Sequence, residues 1–110
     1  MKKAEYYING KNGKYTKVSG YVEEVVDSKG TALMIGYDKR CEGNWKATEL
    51  TTGFCLNLDM FDTRQKCVEH VHNNIEAIIK MYNTKIADKK YYDKFIKPFK
   101  DYVNANGGVK

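Results

Sequence analysis

The chain reads as an α+β domain: an antiparallel β-meander of about five strands followed by two C-terminal helices, one of them packed on the sheet. Three observations predict this. Between residues 5 and 58, apolar and β-branched side chains fall into short runs separated by Gly, Asn, Asp and Ser. The apolar period then changes from two to about 3.6 residues. The connections between successive strand segments are short, which favours antiparallel neighbours over parallel ones. With 110 residues, no internal repeat and no linker, residues 1–110 form a single domain, with strands at about 5–58 and helices at about 62–83 and 88–103.

The elements follow in order. Glu5 to Ile8 is a short aromatic strand, and the Asn-Gly-Lys-Asn-Gly run from Asn9 to Gly13 supplies turn chemistry, since Gly and Asn accept positive φ cheaply. Lys14 to Val26 is long and β-rich, with Gly20 inside it marking a bulge or bend. Asp27-Ser28-Lys29-Gly30 is the next turn. Thr31 to Tyr37 is apolar on both faces and belongs in the middle of a sheet. After a charged loop from Asp38 to Gly43 come a strand from Asn44 to Leu50 and the turn Thr51-Thr52-Gly53. Phe54 to Leu58 alternates cleanly and is the fifth strand.

Asp62 and Gln65 stand at capping-box spacing and open the first helix. Its apolar stripe is Val68, Val71, Ile75, Ile78, Ile79 and Tyr82. The second helix starts near Asp88 and turns Tyr92, Phe95, Ile96, Phe99, Tyr102 and Val103 inward. Pro98 should kink or split it. Asn104 to Lys110 reads as a frayed tail. The expected core is Trp45, Phe54, Leu56, Leu58, Val71, Ile75 and Ile78, between sheet and first helix.

Composition narrows the function. The formal net charge is +5, with 30% charged and 42% hydrophobic residues, as in ordinary soluble domains. No run of about 18 apolar residues exists, so no membrane span is expected, and the first residues lack the apolar region of a secretory signal. Among the basic residues only Arg40 and Arg64 are arginine. Nine Asn and nine Tyr against a single Pro, with abundant Lys, match the A/T-rich codons of a low-GC genome. The three cysteines, Cys41, Cys55 and Cys67, form no C-x-x-C pair. They read as small hydrophobes, and a reducing compartment fits them best.

Chemistry is sparse. His70 and His72 are two apart on a helix and point about 200° away from each other. Cys67 and His70 share a helix face, so a thiolate–imidazole pair is geometrically open to them. The plainer reading is a core-flanking thiol and a solvated imidazole. The same two residues offer Zn²⁺ only two of its three or four ligands. Glu23-Glu24 and the Asp59 and Asp62 pair read as solvated surface. The Gly10 to Lys14 run does not match a phosphate loop. No catalytic residue, metal, cofactor or small-molecule substrate is expected, and the chain is not expected to be an enzyme.

The signal outside the core is basic and aromatic. Lys89, Lys90, Lys94 and Lys97 on the second helix, with Tyr91 among them, are the candidate partner-binding residues. Lys11 and Lys14 of the first hairpin form a second patch. Scarcity of Arg argues against bidentate reading of bases, though not against backbone contact.

The segment Trp45-Lys46-Ala47-Thr48-Glu49-Leu50-Thr51-Thr52-Gly53, a strand, and then Phe61-Asp62-Thr63-Arg64 resembles a pattern in small phage and mobile-element accessory proteins. The likeness covers residues 44–72. In that pattern Trp45 packs, Thr52-Gly53 turns the hairpin, and Asp62 or Thr63 caps the helix. In size and lack of catalytic groups the chain also resembles anti-CRISPR proteins. That resemblance implies a stoichiometric inhibitor of a host defence nuclease complex, protein or ribonucleoprotein. At +5 the chain departs from the acidic members that imitate nucleic acid. The alternative is a non-sequence-specific nucleic-acid-binding accessory protein.

Overall fold

The computed structural model describes residues 1–9, 14–40, 43–56 and 60–108. It is an α+β fold in which four antiparallel strands form one sheet in the order β1-β2-β3-β4. These are β1 (Lys2–Asn9), β2 (Tyr15–Val26), β3 (Ala32–Lys39) and β4 (Trp45–Glu49). The register alternates side chains between two faces. On one face Val25 stands opposite Leu33, Tyr21 opposite Tyr37, and Tyr37 opposite Ala47. On the other Ala4 stands opposite Gly20, and Val22 opposite Lys2 and Gly36.

β2 serves two neighbours with its two halves. Residues 15–22 pair with β1 and residues 21–26 with β3. Gly20 stands near the junction of the two halves, in unbroken register with Ala4, and a Cβ there would lie 2.2 Å from the Tyr37 carbonyl oxygen. Only a residue without a side chain permits that approach. The sheet therefore rolls, and the Asn9 amide at the end of β1 donates to the Gly53 carbonyl beyond β4 at 2.9 Å. Inside the roll lie Ala4, Tyr6, Ile8, Val22 and Leu50. Tyr6 lies across Gly36, whose missing side chain leaves room for the ring. Its hydroxyl donates to the buried Asp38 carboxylate at 3.0 Å, which also takes the Arg40 guanidinium.

The other sheet face carries the larger core: Val25, Leu33, Ile35, Tyr37 and Ala47 from the strands, with Cys67, Val71, Ile78 and Ile79 from the helices. Of the expected core, Val71 and Ile78 are buried in it, and Trp45, Leu56 and Ile75 are only partly buried against it. Phe54 is also half-buried, and Leu58 lies outside the described residues.

The expected fifth strand is reduced, among the described residues, to one bridge between Thr48 and Cys55. Glu49 N donates to Phe54 O at 3.0 Å, and Leu56 N to Ala47 O at 2.8 Å. The start of β4 is taken instead by Phe61, bridged to Trp45. With the edge of β4 divided between two segments, neither runs long enough to make a strand.

The first expected helix is two: α1 (Arg64–Asn73) and α2 (Ile75–Ala87). Thr63, not Asp62, is the N-cap, its hydroxyl accepting from Lys66 N. Asp62 forms an exposed ion pair with Lys66, and this holds its carboxyl below the usual range. The break falls at Asn74, whose side-chain amide donates to the His70 carbonyl at 2.8 Å. Asn thus satisfies a backbone acceptor that an unbroken helix would have used.

The third helix is a composite rod. α3 (Lys89–Tyr91) runs into a π-helical turn (Tyr92–Ile96) and then α4 (Lys97–Ala105). Asp88 caps it through its side chain. Pro98, in the first turn of α4, has no amide to give to the chain four residues back. The wider turn before it closes with the Lys97 amide bonded to Tyr92 O. The extra residue keeps Ile96 and Phe99 fully buried and leaves Phe95 40% exposed at the rim.

Candidate binding surfaces

Lys90 lies in α3, Lys94 in the π-helical turn and Lys97 at the start of α4, so the three follow one another along the composite rod, with the wider turn rotating Lys97 away from the line that an unbroken α-helix would give. All three are exposed, as is Lys89. Lys97 is paired with Asp101 at 3.4 Å. Among the described residues no carboxylate pairs with Lys89, Lys90 or Lys94. Lys94 Nζ lies 5.3 Å from the ring centre of Phe95. These are therefore solvated ammonium groups, with one aromatic ring beside Lys94.

Tyr91 is not part of that open face. It is half-buried, with ring contacts to Phe54 at 5.8 Å and Phe95 at 5.0 Å. Its hydroxyl accepts from Lys85 Nζ at 3.3 Å. Tyr91, expected as an open anchor, is thus covered; the more exposed ring here is Phe95, which the helical periodicity had turned inward. Lys14 is exposed just before β2. The ring of its neighbour Tyr15 meets Phe99 and Tyr102. Lys14 thus sits toward the C-terminal part of the rod, while Lys89 and Lys90 are at its start, so two separate patches result. Lys11 lies outside the described residues.

A second feature is a cavity of about 340 Å³ between the chain leaving β4 and α2. Phe54, Leu56, Ile78, Met81 and Tyr82 supply its apolar lining. Glu49, Thr52, Cys55 and Lys85 are its other lining residues. Glu49 is 1% exposed, and its two carboxylate oxygens accept from the amides of Thr51 at 2.6 Å and Thr52 at 2.8 Å. Burial, and then the Glu49 charge, push the Tyr82 hydroxyl pKa up. At the mouth Lys85 Nζ stands 5.2 Å from the Phe54 ring centre and 5.1 Å from that of Tyr91. Sequence reasoning missed this site. Phe54 and Lys85 are far apart in the chain, and only the path from β4 into α2 brings them together.

The Cys67 and His70 pair is divided by its surroundings. Cys67 is fully buried, and burial pushes its thiol up to about 12. His70 lies in tilted ring contact with Phe61 at 5.1 Å between ring centres. His72 instead meets Glu23, with Nε2 2.5 Å from Oε1, and the same oxygen accepts from the buried Tyr37 hydroxyl at 3.0 Å. Glu23 is thus not the solvated acid its place beside Glu24 suggested; it ties β2 to β3 and α1. Among the described residues no group of three or more His, Cys, Asp or Glu is placed to hold a metal ion. Among the described residues no helix is long and apolar enough to cross a membrane.

Fold and surfaces together define a rolled-sheet α+β domain with a lysine-bearing third helix and an apolar cavity beside α2. Compared with protein-family models, curated proteins and solved structures, the chain matches none.

Proposed function

We propose that this chain acts by stoichiometric binding, as an inhibitor of a host defence nuclease complex of the anti-CRISPR type. It would work in the cytoplasm of a bacterial host, without catalysis. The observation that supports this reading is the set Lys90, Lys94 and Lys97, exposed along the composite rod, with Phe95 beside Lys94 and Asp101 engaging only Lys97. Such a set steers an acidic surface into contact, and the aromatic ring adds apolar contact area. The +5 charge fits a partner that is itself negative, an acidic protein face or bound guide RNA. The buried, high-pKa thiol of Cys67 is a poor nucleophile near neutral pH, in keeping with binding rather than turnover.

The test is a charge reversal of Lys90 and Lys94 to Glu together. Both are exposed and without a carboxylate partner among the described residues, so stability should change by less than about 0.5 kcal/mol. Association with the nuclease complex should slow by about tenfold or more, and inhibition should weaken in step. Naked DNA and RNA are measured beside it at several salt concentrations. Steep salt-dependent binding to naked nucleic acid, lost in the double variant, would assign these lysines to phosphate binding instead. Unchanged binding in every assay would remove them from any role.

A further inference from the structure

The cavity beside α2 has an uneven distribution of polar demand. Its buried acid needs nothing more: both oxygens of Glu49 are held by the Thr51 and Thr52 amides. Thr52 is 3% exposed, and its hydroxyl accepts from Phe54 N at 3.3 Å. Lys85 is different. Its ammonium stands over the neighbouring rings of Phe54 and Tyr91 with one neutral hydroxyl as hydrogen-bond partner, and no carboxylate pairs with it among the described residues. An ammonium has three hydrogens to give, so a held cation at an apolar mouth has donors to spare. The two rings beneath it attract the ammonium and keep it near the aromatic surface.

From this geometry we propose that the cavity binds a small monocarboxylate with an apolar body. The carboxylate pairs with Lys85 at the mouth, and the apolar part lies inward against Leu56, Ile78 and Tyr82. The orientation follows from charge. Glu49 repels an anion from the inner wall, while Lys85 attracts it at the rim. Size follows from volume. The space of about 340 Å³ is at the low end of ligand cavities. Taking for each heavy atom the roughly 30 Å³ that a water occupies in the liquid, it holds about eleven, with the carboxylate oxygens left at the rim. A straight-chain acid of about ten carbons fits those terms. The proposal is independent of the lysines of the third helix and stands whether or not they bind a partner.

The experiment is a solution NMR titration of ¹⁵N-labelled protein with sodium decanoate, below micelle formation. Decanol and decyltrimethylammonium serve as neutral and cationic counterparts. Decanoate should shift the amides of Phe54, Leu56, Tyr82 and Lys85 in a saturable way. Decanol should bind about tenfold more weakly and the cation more weakly still, the difference expected for one charge-assisted contact. Lys85→Met keeps the apolar stem and removes the charge, so it should weaken decanoate about tenfold and leave decanol unchanged. Met81 is 44% exposed at the rim, so Met81→Trp can occupy the space without disturbing the core and should abolish binding of all three. Amide dispersion in the same spectra reports whether each variant is folded. Absence of saturable shifts, shifts centred elsewhere, equal affinity for the cation, or full decanoate affinity in folded Lys85→Met would each overturn the assignment.

Discussion

At the residue scale the fold rests on a few positions where no other side chain fits. Gly53 adopts φ +73°, and a Cβ there would stand 2.5 Å from the buried Phe99 ring. Gly53→Ala therefore combines left-handed strain with overpacking and should cost about 2–4 kcal/mol, read from urea unfolding. Glu23 is a second such position. Removing its carboxylate leaves the fully buried Tyr37 hydroxyl without the acceptor it has at 3.0 Å. Glu23→Ala should cost about 1–3 kcal/mol, and pairing it with Tyr37→Phe should recover part of that loss. A strictly additive double variant would show that the contact carries no energy. The sequence marked Gly53 through its Thr-Thr-Gly turn. It could not mark Glu23, because an acid next to Glu24 on a strand reads the same whether the helix above offers it a histidine or open water.

At the element scale the apolar stripe was legible and its interruption was not. Val71, Ile75 and Ile78 continue the helical spacing straight across Asn74, so periodicity alone joins α1 to α2. The break turns Ile75 toward the margin, where it is half-buried, while Ile79 is 4% exposed inside the main core. Ile79→Ala should accordingly cost about 2–4 kcal/mol and Ile75→Ala less than about 2, compared by thermal and chemical denaturation. The reverse order would mean that α2 is rotated from the position described. Pro98 marked the discontinuity in the last helix, because a missing amide is visible in the sequence. The form it took, a π turn that moves Phe95 to the rim, depends on which side chains the sheet accepts. The lysines Lys90, Lys94 and Lys97 were legible because they lie close together in one short segment of the chain. The cavity was not, because it is built from two segments that meet only in the folded chain.

At the scale of the whole molecule, buried acids with raised pKa values set a limit in alkali. Burial, and for the phenols a neighbouring carboxylate, raises Tyr6 and Tyr37 above their ordinary range, and burial pushes Cys67 up to about 12. Each group holds its proton more tightly folded than unfolded. The stability they contribute is therefore complete below the unfolded-state values of about 9–10 and is lost as pH rises beyond them. The protein should show a flat stability from neutrality to about pH 9 and then a steep fall toward pH 12. Far-ultraviolet circular dichroism and phenolate absorbance should change together for the buried tyrosines, after the exposed ones have ionised. Ionisation of all the tyrosines near pH 10 with the fold intact would contradict their burial.

The divided edge of β4 has a consequence for how the molecule behaves in a crowded solution. A sheet that ends in a bare strand offers a row of unpaired amides and carbonyls on which another chain can add. Here backbone groups of Trp45, Ala47 and Glu49 are bonded to Phe61, Leu56 and Phe54 of the same chain. Those short stretches are poor strands, yet they take the hydrogen bonds that a stranger would need. The opposite margin, β1, carries the exposed charges of Lys2, Lys3 and Glu5, and its far end is fastened to Gly53. A small β-rich protein is in this way guarded against fibrillar self-assembly at both of its margins.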